Sequence, residues 1–321
     1  MICNTIFFLI IGLMNYDYIK ILRFDHWVKQ IFVFPGFLYA LYVINFNVNF
    51  GYNFFIKLFT SLLVVSLAAS CNYVINEFID GPNDKFHPLK KKRPGAQKKL
   101  NLKYVILLYL FLFFLVVSFS LIFLKIYFLI VIFIFLIMGF LYNLKPFRTK
   151  DIKYLDIISE SINNPIRFFL GYFTIIENFN LDLISITDFE VVLFYFTFGC
   201  FLMSCKRLSE KRFFANYKNI KKYRITIFKY SENQLLIQTF FYSIISLLLL
   251  SNVLVFIDTN FFIFIVFSVI TCMEYLNLTL NMSYSTQEPE SLYKEKFFMF
   301  LILINSLIFF FIVKDNLKFN L

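Results

Sequence analysis

The chain has 321 residues, 60% apolar and only 16% charged, with a mean hydropathy of +0.73. Soluble globular domains carry roughly 25% charged residues, so this composition excludes a water-soluble fold. The formal net charge of +11 raises the question of nucleic acid, but the placement of the charges answers it without such a partner.

Apolar runs of ~20 residues recur along the whole length and predict an all-α, polytopic membrane protein. Residues 1–13 are apolar without a basic front and make a poor signal peptide. The polar start after Met14 places initiation there. A single domain is therefore expected over 14–321, with 1–13 a misassigned N-terminal extension. Residues 18–30, YIKILRFDHWVKQ, alternate apolar and charged side chains as a helix lying at the membrane interface does, with Trp27 as its anchor.

About nine spans follow, near 31–46, 55–76, 104–123, 126–143, 155–176, 189–206, 235–256, 261–280 and 297–313. With the N-terminus cytoplasmic, most of the 31 Lys and Arg fall on inner segments. Lys57, Lys125, Lys314 and Lys318 fall outside, and Arg167 falls within a span. That asymmetry is the positive-inside pattern and accounts for the basic balance. The cysteines at 3, 71, 200, 205 and 272 form no CxxC pair and read as small buried hydrophobes. The 49 Phe, with many Ile, Asn, Lys and Tyr, read as the output of an AT-rich genome and carry no functional weight.

The chemistry gathers between Asn72 and Pro94, NYVINEFIDGPNDKFHPLKKKRP. Asn76, Glu77, Asp80 and Asp84 bring oxygen ligands to the end of a span, and Lys90–Arg93 follow within ten residues. Acids able to hold a hard cation beside bases able to hold phosphate are what a diphosphate site requires. The bland alternatives are a solvated helix end with a capping acid and a basic loop that only marks topology. Asn76 and Asp80, four apart, share a helix face. Gly81-Pro82 is expected to break the helix, so that Asp84 approaches from a loop. In the second half, Asp156 and Glu160 again share a face. Arg167 is costly inside a span unless it is paired, with Glu160 as a candidate, or contacts phosphate in a cavity.

The run Asn76-Glu77-x-x-Asp80-x-x-x-Asp84 resembles the NDxxDxxxD motif of the UbiA superfamily of intramembrane prenyltransferases. Within it, DKFHPLKKKRP resembles the DRxHPxKxxRP extension of decaprenyl-phosphate phosphoribosyltransferases. LRFDHWVKQIFVF is similar to that family's LRPxQWxKNxxVF opening, and KRLSEKR at 206–212 to its KRxxE segment. YLDIISESINNPIRFF keeps Asp156 and Arg167 of the second acidic motif, with Glu160 and Asn164 between. The likeness runs from about Leu22 to about Lys296.

It implies a UbiA-like helical bundle with a cytoplasm-facing cavity in a bacterial cytoplasmic (inner) membrane. It implies Mg2+ on Asn76, Glu77, Asp80 and Asp84. Lys29, Lys90, Arg93, Lys206 and Arg207 would contact phosphate, His87 and Glu210 would orient, and Asp156, Glu160, Asn164 and Arg167 would line the cavity. Two reactions fit: transfer of a 5-phosphoribosyl group from phosphoribosyl diphosphate to a polyprenyl phosphate, or transfer of a prenyl group to an aromatic or quinone-precursor acceptor. The partners are then a polyprenyl lipid, a diphosphate donor and the bilayer. A transporter or lipid-binding protein without chemistry is the third reading, disfavoured because polar residues gather at one membrane face.

Overall fold

Among the described residues, six helices are long and apolar enough to cross a membrane: Tyr52–Asp84, Leu102–Phe123, Ile126–Asn143, Phe189–Phe213, Glu232–Leu254 and Phe262–Leu280. The computed structural model describes residues 16–44, 50–176, 186–215, 220–255, 261–282 and 284–316, and no strand occurs among them. In chain order the α-helices are α1 Tyr16–Lys20, α2 Phe34–Val43, α3 Tyr52–Asp84, α4 Leu102–Phe123, α5 Ile126–Asn143, α6 Leu155–Ser161 and α7 Asn163–Ile175. They continue with α8 Ile186–Phe213, α9 Ile220–Tyr223, α10 Ile225–Lys229, α11 Glu232–Val255, α12 Phe262–Leu280, α13 Tyr284–Gln287 and α14 Lys296–Asn316.

The chain divides into two compact units. The first takes residues 1–152, 166–179 and 218–226. Its spine is the 33-residue α3, which packs against α4, α5 and the 3-10 helix Phe24–Val33. On α4 the buried residues Val105, Leu108, Leu112, Val116 and Ser120 recur every three or four positions and form one inward stripe. Its opposite face exposes Leu110, Phe111 and Phe114. A helix apolar on both sides, with one stripe buried by protein, meets lipid on the other. The N-terminal segment is fastened to α3 by Trp27, whose Nε1 donates to Ser70 Oγ at 3.0 Å, while Ser70 Oγ donates to the Leu22 carbonyl at 2.8 Å.

The second unit takes 153–165, 180–217 and 227–321. There α8 packs against α11, α6, α12 and α13, and α12 packs on α14. Ile157, Cys200, Leu208, Tyr230 and Leu235 form one core cluster, and Phe201, Cys205, Tyr275 and Phe298 another. Cys71, Cys200 and Cys205 are buried free thiols, as expected of small hydrophobes, whereas Cys272 is only half-buried.

Three local expectations are corrected. The interfacial stretch is a short α1 followed by a 3-10 helix rather than one α-helix, with Arg23 in the left-handed region (φ 54°) between them. The 155–176 segment is not one helix. Pro165 cannot donate to the Ser161 carbonyl, and its ring crowds that carbonyl, so α6 ends at Ser161 and α7 begins at Asn163. Conversely, Pro82 does not end α3, which continues to Asp84. In the last turn its missing N–H forfeits a single bond, to the Phe78 carbonyl, and the helix tolerates it. Beyond the six full-length spans, the expected spans at 31–46, 155–176 and 297–313 fall on shorter pieces: α2, the α6–α7 pair, and the apolar stretch Lys296–Phe309. The start-site reading, Cys3 and Lys318 lie outside the described residues.

Candidate diphosphate and metal site

Because α3 stays helical through Pro82, Asn76, Asp80 and Asp84 stand on one face at successive four-residue intervals. Each is met by a cation. Lys150 Nζ donates to Asp80 Oδ1 at 2.6 Å, Asn143 Oδ1 at 2.8 Å and Asn76 Oδ1 at 3.0 Å. Arg148 Nη2 reaches the same Asp80 oxygen at 3.1 Å, while its Nε donates to Asp151 at 2.6 Å. Arg148 lies in the left-handed region (φ 35°), a strained conformation held by these bonds and one from Nη1 to the Asn143 carbonyl. Burial pulls the Lys150 ammonium down to about 8, against the opposing pull of Asp80. It therefore still carries its charge at neutral pH.

Arg93 Nη1 donates to Asp84 Oδ2 at 3.1 Å and lies 3.9 Å from Glu77 Oε2. Glu77 Oε1 is buried without a hydrogen-bond partner. The 86–100 loop that carries Arg93 is folded tightly on α3. A Cβ on Gly95 would meet the Glu77 carbonyl at 2.2 Å, and one on Gly81 would meet the Gly95 carbonyl at 2.4 Å. Backbone lies against backbone here, so neither neighbour can turn aside. Gly95→Ala is accordingly expected to lower stability by about 1–3 kcal/mol through overpacking, read as a lower melting temperature in detergent. An unchanged melting temperature would show that the loop can shift.

His87 organises the same loop. Its Nδ1 accepts from the backbone N–H of Leu89 (3.1 Å) and Lys90 (3.2 Å), which assigns the proton to Nε2. Its ring packs edge-on against Tyr223, centroids 4.7 Å apart, and Lys90 Nζ donates to the Tyr223 hydroxyl at 2.5 Å. Further cations stand at the N-terminal segment. His26 is buried between Arg23 and Lys29, with Lys29 Nζ 2.8 Å from Nδ1 and Arg23 on Nε2. Arg167 donates from Nε to Gln30 Oε1 at 3.2 Å and stacks over Phe135 at 5.2 Å.

The second unit holds a separate network. Asp156, fully buried, accepts from Arg207 Nε at 2.8 Å through Oδ2 and from the Tyr230 hydroxyl at 2.7 Å through Oδ1. Arg207 Nη1 donates to Glu210 Oε2 at 2.7 Å. Burial and the adjacent Asp156 push the Tyr230 phenol above its ordinary range, so it stays a donor. Glu160 and Lys206 are half-buried. Asn164 is also half-buried and stands against Gly199, where a Cβ would lie 2.5 Å from its Nδ2. Sequence reading placed Arg207 among phosphate contacts, and the structure gives it two carboxylate partners. It also left Arg148 and Lys150 without individual roles and passed over Asn143 and Tyr223. The one available signal was the basic density between 145 and 153.

The profile of the UbiA prenyltransferase family matches residues 31–304. The chain belongs to the UbiA prenyltransferase family. Structures of a UbiA homologue from Archaeoglobus fulgidus, bound to GPP and Mg2+ or to DMAPP and Mg2+, each superpose on this UbiA-family chain with a TM-score of 0.60 at 16% identity. Each covers 90% of this chain and 99% of its own. A structure of digeranylgeranylglyceryl phosphate synthase gives a TM-score of 0.59 at 18% identity, covering 94% of this chain and 98% of its own. At such identities the likeness establishes the fold alone. Among curated proteins none matches. With six helices of spanning length, this member of the UbiA family is a multi-pass membrane protein.

Among the described residues no three His, Cys, Asp or Glu side chains gather as a metal site. The α3 face instead offers two carboxylates and one amide oxygen, with Asp80 Oδ2 and Asp84 Oδ1 outside the bonds given above. That set suits a cation of the Mg2+ type, which takes one or two carboxylates and completes its shell with substrate phosphate and water.

Proposed function

We propose that this chain moves a 5-phosphoribosyl group from phosphoribosyl diphosphate to a polyprenyl phosphate, with Mg2+-assisted loss of pyrophosphate. The observation that carries this reading is the cation supply around the α3 face. Asp80 already has Lys150 and Arg148, Asp84 has Arg93, and Lys90 stands on the same loop as Arg93. A site built to hold pyrophosphate, a 5-phosphate and a lipid phosphate together needs that supply of cations, because the anions would otherwise repel in a half-dry site. Asp80, Asp84 and Asn76 would hold Mg2+, which when bound neutralises the leaving pyrophosphate. Arg93 presents a bidentate fork to phosphate oxygens, and Lys90 and Lys29 serve as point charges. His87 keeps Lys90 in place through the loop backbone. The C1–O bond to pyrophosphate breaks and a C1–O bond to the lipid phosphate forms. The attacking oxygen is already anionic, so the chain needs no general base. Its basic inner segments orient the protein with its N-terminus in the cytoplasm of a bacterial cell, where the soluble donor is found.

A second reading, prenyl transfer from a prenyl diphosphate to an aromatic acceptor, draws on the solved relatives bound to GPP and DMAPP. One experiment separates the two. Purified protein with Mg2+ receives phosphoribosyl diphosphate and polyprenyl phosphate in one arm, and prenyl diphosphate and 4-hydroxybenzoate in the other. The expected result is a phosphoribosylated lipid and pyrophosphate in the first arm only. A prenylated ring with no product in the first arm would overturn the proposal.

A further inference from the structure

The Lys150 ammonium stands among oxygens that could themselves take a metal ion. An ammonium has three donors and no acceptor. Here three oxygens from two helices surround it: Asn76 and Asp80 of α3, and Asn143 at the end of α5. Carboxylate and amide carbonyl oxygens are also what a hard dication binds. The lysine is almost wholly buried, and its backbone is fastened where Thr226 Oγ1 donates to the Lys150 carbonyl at 3.2 Å. Arg148, two residues away, adds a second positive charge on the same Asp80 oxygen.

We propose that Lys150 is a tethered counter-cation that keeps Asn76 and Asp80 in place without metal and makes metal binding depend on the diphosphate. The inference rests on the reading of Asp80 as a metal-side ligand. With the ammonium home, the charge of Asp80 is compensated and the Asn76 oxygen is occupied. A bare dication then meets two positive side chains beside the ligand it needs. A dication arriving with diphosphate brings its own negative charge, and its phosphate oxygens offer the ammonium charge-assisted bonds to turn to. The metal and the donor thus enter as one unit. Lys150 is a positioning residue in the free protein and turns to the donor phosphate when the metal arrives.

The test reads metal uptake rather than turnover. Full-length protein in detergent is equilibrated with Mn2+, and protein-bound manganese is measured at fixed free Mn2+. Wild-type protein should retain little manganese alone and at least tenfold more when inorganic pyrophosphate is present. Lys150→Met, which keeps the stem and loses the charge, should bind Mn2+ alone at least tenfold more tightly than wild type. A folded Lys150→Met protein with wild-type or weaker affinity would overturn the proposal, as would wild-type uptake indifferent to pyrophosphate. If Lys150→Met does not fold, Asn143→Leu removes one of the three oxygens, and a several-fold gain in Mn2+ affinity is expected. No gain there would equally overturn it. Adding Asp80→Asn to Lys150→Met should abolish the gained uptake. If the gain survives that change, the metal-side reading of Asp80 fails and the effect of Lys150 stands on other ligands.

Discussion

Asp80→Asn and Asp84→Asn are each expected to lower turnover by on the order of 10³-fold at saturating Mg2+ and donor. Each asparagine keeps an oxygen of the same shape and loses the charge that would hold the cation neutralising the leaving pyrophosphate. Loss of such stabilisation is worth several kcal/mol, and about 4 kcal/mol corresponds to that rate factor. The competing account makes these acids simple partners of the basic loops: Asp84 of Arg93, and Asp80 of Lys150 and Arg148. The Asp84 carboxylate is buried and its Arg93 partner only partly exposed, so losing the pair costs more than the roughly 1 kcal/mol of a surface ion pair and less than the about 3–5 kcal/mol of a fully buried one. On that account Asp84→Asn would lower stability and change the turnover of the folded protein hardly at all. Measuring kcat against the folded fraction decides between them. The asparagine at 80 still offers Lys150 and Arg148 an acceptor, so the variant is expected to fold. Wild-type turnover in either folded variant would remove that residue from the metal site.

The acids and bases of this site were readable because they are rare. In a chain with so few charges, Asn76, Asp80, Asp84, Lys90 and Arg93 stand out against apolar runs, and four-residue spacing on a helix needs no tertiary information. What could not be read was decided by partners distant in sequence or by balances of a single bond. Pro82 carries the same backbone chemistry as Pro165, yet one helix runs through its proline and the other breaks near it. The difference is position. Pro82 forfeits one bond in a terminal turn, whereas Pro165 lies in the first turn of α7 and denies a donor to the Ser161 carbonyl, where α6 ends. The sequence likewise shows that Lys150 is one of several basic residues in a loop. It does not show that Asn143 and Asn76 come from two helices to enclose it. Tyr223 opens a stretch, YRITIFKYS, whose likeness to the family gives it no role of its own, until its hydroxyl is found on Lys90 from 133 residues away.

Arg207 is where reading by motif and reading by geometry diverge most, and its replacement carries the largest expected stability effect. As a phosphate contact it would raise the KM for the donor when truncated and leave folding alone. In the structure its side chain is 1% exposed, with Nε on Asp156 and Nη1 on Glu210, and Asp156 is fully buried. Removing one partner of such a pair leaves an uncompensated buried charge and costs about 3–5 kcal/mol. Arg207→Ala is therefore expected to lower the melting temperature sharply and to shrink the folded fraction. The protein that still folds should keep a KM close to wild type. Arg207→Lys should not rescue stability, because a single ammonium cannot reproduce a fork that serves two carboxylates from different nitrogens. Asp156→Asn should also destabilise, because the amide keeps one acceptor oxygen where the carboxylate uses two, so either Arg207 Nε or the Tyr230 hydroxyl loses its acceptor. Thermal unfolding in detergent, with donor KM measured on the folded fraction, tests all three variants. A wild-type melting curve for Arg207→Ala together with a tenfold higher KM would return the guanidinium to the donor phosphate, with the carboxylates only holding it there.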